Sequence, residues 1–147
     1  MSRTPDSCPL PKPSGDGEFG AIARMLSAKR IAIVGLSDDP SRPSHEIGEY
    51  LLSQGKEIIP VNPTHTQVLG RRCYARLADV PGPIDLVNVF RRPEFCADVT
   101  REAIAAGARG VWLQSGITNA EAKKLADDVG IDFVQNRCIM VEHAQRS

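Results

Sequence analysis

Five short segments of the chain combine hydroxyl, amide and guanidinium side chains, which are groups that hold anions and sugars by hydrogen bonds. They contain no Ser-His-Asp order, no pair of carboxylates and no metal-ligating triad, so we expect neither catalytic residues nor a metal site among them. Each segment follows a run of apolar residues of strand length. The segments are 35–37, 61–63, 90–92, 114–116 and 136–138.

The first segment opens a loop that leads from Gly35 into a predicted helix over 44–54. A glycine at this position lets the backbone approach an anion closely, and a helix N-terminus offers unpaired N–H groups. Arg42 adds a fixed cation, while Ser37 and Ser44 add hydroxyl groups, and Ser44 is also the predicted N-cap. The loop is therefore either a phosphate site or a plain connection into a capped helix.

The type of nucleotide is restricted by what the loops lack. The segment 35–40 does not read GxGxxG, and the second strand ends in Asn62 where NAD-binding folds carry an acidic residue for the ribose diol. Both departures argue against NAD, and no GxxxxGK[ST] motif occurs that would indicate a P-loop NTPase. The pattern favours a nucleotide ligand that is recognised more through its phosphates than through its ribose diol.

Strand and helix patterns alternate along the chain, which predicts an α/β fold of the Rossmann-like, doubly wound type. The sheet should be mostly parallel with helices on both faces, because its strands are nearly continuous apolar runs. Thr118 is the predicted N-cap of the last helix. Strands are predicted at 30–34, 57–61, 85–90, 110–113 and 131–134, and helices at 18–29, 44–54, 93–106 and 119–129.

The order of these strands decides where a ligand would bind. If 68–74 forms an edge strand, the order resembles 3-2-1-4-5-6, with the switch point between 30–34 and 85–90. Ligands of open α/β sheets bind outside the carboxyl ends of the strands at that switch point. The five segments should therefore meet along one edge of the sheet.

Length and charge exclude several classes of protein. The 147 residues allow one domain, which we expect at 18–147 after a flexible tail at 1–17. Lys and Arg number 18 and Asp and Glu number 18, so no basic excess indicates a nucleic-acid partner. No apolar run approaches the roughly 18 residues of a membrane span. With no secretory signal and scattered cysteines, the chain is expected to be cytoplasmic and to lack disulfides.

Taken together, the segments resemble the small single-domain CoA-binding proteins. The similarity covers about residues 30–143 and extends to the N-terminal CoA-binding domain of the succinyl-CoA synthetase α subunit. Its motifs are Val-Gly-Leu-Ser at 34–37, Pro-Val-Asn-Pro at 60–63, Asp-Leu-Val-Asn-Val-Phe-Arg at 85–91, Trp-Leu-Gln-Ser-Gly-Ile at 112–117 and Asn-Arg-Cys at 136–138.

The resemblance implies a Rossmann-type domain whose cofactor is coenzyme A or an acyl-CoA. The first loop would lie near the pyrophosphate with Arg42 on a phosphate, and the second loop would border the adenosine. Phe90 and Arg91 would flank the nucleotide or the pantetheine arm. The phosphorylated histidine of the synthetase lies in another domain, so the resemblance implies ligand binding and not ligase chemistry. The expected cofactor-binding residues are Gly35, Leu36, Ser37, Arg42, Val61, Asn62, Pro63, Phe90, Arg91, Trp112, Gln114, Gly116 and Cys138.

Alternatives remain for individual residues and for the whole chain. Trp112 covers the pantetheine arm or fills the core, and Cys138 is either a buried small residue or a thiol activated by Arg137. A reactive Cys138 would make the protein an enzyme acting on an acyl-CoA or a CoA disulfide. An NAD(P)-binding module is the third function weighed. A homodimer or an unidentified protein partner is also compatible with the sequence.

Overall fold

The computed structural model describes residues 17–146, which form one five-stranded parallel sheet covered by helices on both faces. The sheet confirms the predicted doubly wound, Rossmann-like architecture. A two-stranded antiparallel hairpin lies beside it. In chain order the strands are β1 (Arg30–Val34), β2 (Glu57–Val61), β3 (Gln67–Val68), β4 (Arg71–Arg72), β5 (Leu86–Val89), β6 (Gly110–Leu113) and β7 (Asp132–Val134).

Five helices pack on this sheet, joined by two single 3-10 turns at Leu77–Asp79 and Pro93–Phe95. The helices on one face bury their apolar residues against one side of the strands, and the remaining two cover the other side. The first face carries α1 (Gly17–Leu26), α2 (Pro43–Ser53) and α5 (Ile139–Arg146), and the second carries α3 (Cys96–Ala105) and α4 (Ala120–Val129).

The main sheet runs in the order β2-β1-β5-β6-β7 with every pair parallel. Val34 at the end of β1 lies opposite both Val61 and Val89, so the first three strands end at the same level. The predicted switch point between β1 and β5 is confirmed. The carboxyl ends of β1, β2 and β5 therefore share one edge of the sheet.

The predicted edge strand over 68–74 is wrong. Leu69 and Gly70 adopt positive φ angles of 55° and 73°, which turns the chain back on itself between β3 and β4. Only Tyr74 reaches the sheet, through an isolated parallel bridge to Val61. The six-strand order is thus replaced by five strands, because the turn separates the segment into a hairpin.

Two predicted caps are also corrected. Arg42 occupies the N-cap position of α2, and the Ser44 hydroxyl instead accepts a hydrogen bond from the Ser37 backbone N–H at 3.0 Å. Asn119, not Thr118, caps α4, since its side-chain oxygen accepts from the Ala122 N–H at 2.8 Å. In both cases the chain enters the helix one or two residues away from the predicted position.

The two ends of the described chain lie next to the predicted tail and in a helix that was not predicted. Most of the predicted N-terminal tail, residues 1–16, lies outside the described part of the chain, and Gly17 already belongs to α1. The C-terminal helix α5 has no counterpart among the predicted elements. No helix within residues 17–146 combines the length and apolarity that crossing a membrane requires.

Candidate functional site

The site begins at Gly35, where β1 ends beside its two neighbouring strands. The Gly35 N–H donates to the Val61 carbonyl oxygen at 2.8 Å, and its φ is 88°. A Cβ on Gly35 would stand 2.6 Å from the Phe90 carbonyl oxygen. Only glycine therefore fits this close approach of β1 and β5 without a shift of backbone.

In the loop after Gly35, three alternate backbone N–H groups donate hydrogen bonds to side chains of the same segment. Ser37 N–H donates to Ser44, Asp39 N–H donates to the Ser37 hydroxyl at 3.0 Å, and Ser41 N–H donates to the Asp39 carboxylate at 2.9 Å. The intervening N–H groups of Leu36 and Asp38 have no hydrogen-bond partner among residues 17–146. The loop is thus held rigid by its own side chains, and the exposed Asp38 keeps an unpaired amide at the surface, whereas Leu36 is fully buried.

The charge of Asp39 is held by the same loop. The Ser41 backbone N–H, followed by the Ser41 hydroxyl, lowers the pKa of the Asp39 carboxyl, and Arg42 and His45 lower it further. Arg42 is exposed at the start of α2, on the loop that leads from the switch point. The carboxylate therefore stays ionised and occupied by Ser41, and the Arg42 guanidinium extends into solvent.

The second loop is tied to the first through Asn62. Its amide nitrogen donates to the Leu36 carbonyl oxygen at 3.2 Å, and its amide oxygen accepts from the Thr64 N–H and hydroxyl. His65 Nε2 also lies 3.6 Å from the Asp38 carboxylate. Asn62 therefore fixes the spacing of the two loops, which explains an amide where an acidic residue would serve a ribose diol.

A cavity of about 520 Å³ opens at the carboxyl ends of β1, β2 and β5, between them and α3. Half of the residues that line it were predicted from their positions after strands, namely Gly35, Val61, Asn62, Pro63, Phe90 and Arg91. The others were not predicted, and they are Val34, Ala75, Arg76, Leu77, Val99 and Glu102.

A sequence signal existed for part of the missed set. Val99 and Glu102 are three residues apart on α3, so they share a helix face once that face is known to turn toward the cavity. Arg76 lies in the connection between β4 and β5, where no apolar period indicates which way a side chain points. Its position depends on how that connection folds over the end of β2.

Arg91 is held against an aromatic ring at the rim of the cavity. Its guanidinium carbon lies 4.5 Å from the centroid of the Phe95 ring, and that of Arg92 lies 5.5 Å from the same ring. Arg92 is exposed and does not line the cavity, and its Nε lies 3.8 Å from Glu94 Oε2. The two neighbouring arginines therefore have different surroundings, and only Arg91 faces the site.

Two of the expected site residues belong to the core. Trp112 is fully buried on the face covered by α5, and its indole N–H donates to the Arg137 carbonyl oxygen at 2.8 Å. Gln114 is 6% exposed, and its side-chain oxygen accepts from Asn88 Nδ2 at 3.2 Å and from the Ile139 N–H at 3.3 Å. Both side chains support α5 in this structure, and a contact between either of them and a ligand stays a prediction.

Two further expected residues lie away from the cavity wall. Gly116 is exposed and its N–H donates to the Asn136 side chain at 2.8 Å. Cys138 is half-buried and packs against the core on the α5 side. The neighbouring Arg137 guanidinium bonds to Glu18 and Glu142, and these carboxylates raise the pKa of Arg137. A role for Gly116 and Cys138 in binding stays a prediction.

The other cysteines of the described chain are poor nucleophiles. Burial raises the pKa of the Cys73 thiol and of the Cys96 thiol, so both are held as neutral S–H groups. The Cys96 thiol contacts the Arg91 and Arg92 carbonyl oxygens at 3.8 and 3.6 Å, under the loop that follows β5. Its role is to support that loop from beneath.

Comparison with known proteins places these features in a family. The model of a family described as CoA binding domain matches residues 29–144. The uncharacterized protein YneT of Bacillus subtilis (strain 168) is 44% identical over 120 residues, which cover 82% of this chain and 89% of that protein. A solved structure of a hypothetical protein from Pyrococcus horikoshii OT3 superposes with a TM-score of 0.83 at 36% identity, covering 96% of this chain and 97% of that one.

An enzyme subunit is similar over part of its length. The alpha subunit of the ADP-forming acetate–CoA ligase II of Pyrococcus furiosus is 28% identical over 133 residues. The match covers 82% of this chain and only 29% of the ligase subunit. The similarity therefore concerns one portion of a larger protein.

Proposed function

The chain belongs to the CoA-binding domain family, and from that membership we propose that it binds coenzyme A or an acyl-CoA at the carboxyl edge of its sheet, as a binding protein and not as an enzyme. The observation that carries the proposal is the cavity at the switch point, which is lined by Gly35 at the start of the loop after β1 and by Arg91, whose guanidinium lies on an aromatic ring.

The cavity suits the adenosine end of the ligand. Its volume of about 520 Å³ lies within the roughly 300–1,000 Å³ of small-molecule sites. Its apolar wall is formed by Val34, Val61, Leu77 and Val99, which can pack against the faces of a purine. Polar groups stand at its rim, so a base can enter while its ribose and phosphates stay near water.

The loop after β1 suits the pyrophosphate. The unpaired N–H group of the exposed Asp38 is a donor of the kind that binds phosphate oxygens, and the N-terminus of α2 adds a partial positive charge. Arg42 at the start of α2 supplies a full charge on the same loop. Ser37 contributes through the rigidity of the loop, because its N–H and hydroxyl are already bonded within it.

The lining of the cavity supports binding without catalysis. It includes no serine, cysteine, histidine or lysine that could act as a nucleophile, and Glu102 is its one carboxylate. Cys138, the thiol considered for an enzymatic role, is half-buried on the α5 side and does not line the cavity. The similarity to the ligase covers only 29% of that subunit, so it does not extend to the activity of the whole enzyme.

Calorimetric titration of the purified protein with CoA, acetyl-CoA and NAD tests the proposal. We expect saturable binding of CoA and acetyl-CoA and no binding of NAD. Incubation with acetyl-CoA should release no free thiol. Binding of NAD without a CoA signal would refute the assignment, and catalytic thiol release that is lost in Cys138→Ser would establish the enzyme instead.

A matched pair of arginine variants tests the location. Arg91→Ala should weaken CoA binding by roughly 1.5–3 kcal/mol, because it removes a charge-assisted contact to phosphate. Arg72→Ala removes an exposed arginine that stacks on Tyr74 at 5.2 Å and does not line the cavity, so it should leave the affinity unchanged. Equal affinities of the two variants would place the ligand elsewhere.

A further inference from the structure

Two arginines from different parts of the chain line the same cavity. Arg91 follows β5 at the switch point, and Arg76 directly precedes the 3-10 turn at Leu77–Asp79, whose Leu77 packs in the core of the second face of the sheet. Val61 and Pro63 at the end of β2 line the cavity with them.

Neither guanidinium is neutralised by a carboxylate. Within residues 17–146, Arg76 and Arg91 form no ion pair, whereas Arg30 pairs with Glu57 and Arg101 with Asp98. Glu102 is the single carboxylate on the wall, and it lies beyond ion-pair distance of both arginines. The wall therefore carries two positive charges against one negative charge, which favours a ligand group of charge near minus two.

Arg91 is also prepared to bind such a group. Its guanidinium lies on the Phe95 ring at 4.5 Å, which restricts its motion while leaving its N–H donors available. A guanidinium presents these donors in a fork that matches two oxygens of a phosphate. Arg76 and Arg91 offer two such forks on the wall of one cavity, and two forks suit a terminal phosphate with three free oxygens better than a bridging diester.

Coenzyme A carries a group of this kind on its ribose, in addition to the pyrophosphate assigned to the loop after β1. We infer that Arg76 and Arg91 recognise the ribose phosphomonoester, so that the protein distinguishes CoA from dephospho-CoA. The inference rests on the proposed function, and it adds a specificity for the terminal phosphate that the proposed function does not require.

Titration of CoA and dephospho-CoA into four proteins tests this specificity. The proteins are the wild type, Arg76→Ala, the double variant Arg76→Ala/Arg91→Ala, and Arg72→Ala as a control of equal charge change to the single variant. The wild type should prefer CoA by about tenfold to hundredfold, which corresponds to lost charge-assisted hydrogen bonds. The preference for CoA over dephospho-CoA should be smaller in Arg76→Ala, absent in the double variant and unchanged in Arg72→Ala.

The two ligands separate the failure of this inference from that of the proposed function. Equal affinity of the wild type for CoA and dephospho-CoA would overturn the inference and leave CoA binding intact. If neither CoA nor dephospho-CoA binds, both the inference and the proposed function are overturned. A preference for CoA that persists in the double variant would show that other groups recognise the phosphate, and would also overturn the inference.

Charge and geometry are separated by a further variant. Arg76→Lys/Arg91→Lys keeps both charges and loses the fork, so we expect it to retain a reduced preference for CoA. Because Arg76 is exposed and Arg91 is partly exposed, each variant should unfold at nearly the wild-type temperature. If the ratio of CoA affinity to dephospho-CoA affinity is as low in the double lysine variant as in the double alanine variant, the fork geometry of arginine alone accounts for recognition. That outcome would also support the inference.

Discussion

Phe95 packs against two neighbouring arginines, of which only one lines the cavity. Its ring contacts the guanidinium groups of both Arg91 and Arg92, at 4.5 and 5.5 Å from the ring centroid. Only Arg91 faces the cavity, so the ring is a support for a binding group and not itself a binding group. Phe95 is therefore a positioning residue in the proposed site.

Replacement of Phe95 tests this role. Phe95→Leu should weaken CoA binding about two- to fivefold, because an exposed cation–π contact contributes roughly 0.5–1 kcal/mol. Binding of dephospho-CoA should change little, since Arg91 is assigned to the terminal phosphate. Phe95→Tyr should retain wild-type affinity for both ligands. A parallel loss for both ligands, measured by calorimetry, would mean that Phe95 only maintains the local fold.

At the scale of the elements, one buried hydrogen-bond network connects the sheet to the last helix. Gln114, just after β6, accepts hydrogen bonds from Asn88 on β5 and from the backbone N–H of Ile139, the first residue of α5. Ile139 is itself fully buried in the core. The network thus fixes where α5 begins.

Removing this acceptor should loosen α5. Gln114→Ala leaves the Ile139 N–H without its partner and removes one of the two acceptors of Asn88 Nδ2, which keeps its bond to the Trp112 carbonyl oxygen, so the free energy of unfolding should fall by about 1–3 kcal/mol. Gln145→Ala, at an exposed position of α5, should change it by less than roughly 0.5 kcal/mol. Urea denaturation measures both values, and an equal effect of the two variants would show that the network does not stabilise α5.

A second contact joins α5 to α2 and responds to pH. The Tyr50 hydroxyl and His143 Nδ1 are 2.9 Å apart, and burial, followed by repulsion from Lys56, lowers the pKa of His143 below its ordinary value of 6.5. The unfolded chain therefore binds a proton more readily than the folded protein does. The contribution of this pair is complete above the unfolded pKa and is lost as the pH falls from there through the lower folded pKa.

This proton linkage predicts how the free energy of unfolding changes with pH. Between about pH 7.5 and pH 5.5, the wild type should lose more of its free energy of unfolding than His143→Gln does, because only the wild type takes up this proton on unfolding. Denaturation midpoints at the two pH values provide the comparison. Identical losses in both proteins would show that His143 titrates alike in the folded and unfolded chains.

At the scale of the molecule, the proposed site draws on both halves of the sheet. The loops after β1 and β2 come from the first half, while Phe90, Arg91 and the wall of α3 come from the second. A ligand that contacts all of them connects the two halves across the switch point. Binding should therefore stabilise the whole chain against unfolding.

Thermal unfolding with and without ligand measures that stabilisation. At a concentration of 100 times Kd, CoA should add about 2.7 kcal/mol and raise Tm, whereas NAD should leave Tm unchanged. The double variant Arg76→Ala/Arg91→Ala should show a smaller shift at the same CoA concentration. An unchanged Tm at saturating CoA would contradict binding to the folded state.

The strands of the sheet and the edge at which their loops meet could be predicted from the sequence. Apolar runs such as 30–34 and 110–113 predict buried parallel strands because both faces of such strands are covered, a signal that each run carries locally. Loops after neighbouring strands meet at one edge, so Gly35, Asn62 and Arg91 could be placed together without knowledge of any contact. The same rule located half of the residues that line the cavity.

The face of the sheet toward which each side chain points could not be predicted from the sequence and depends on the packing of the helices. Trp112 and Gln114 lie at or just after the end of a strand, as Arg91 does, but they point to the face covered by α5, where they are buried. Arg76 reaches the cavity because the turn between β3 and β4 redirects the chain over β2. Such placements depend on contacts between residues far apart in sequence, and no local pattern of residues encodes them.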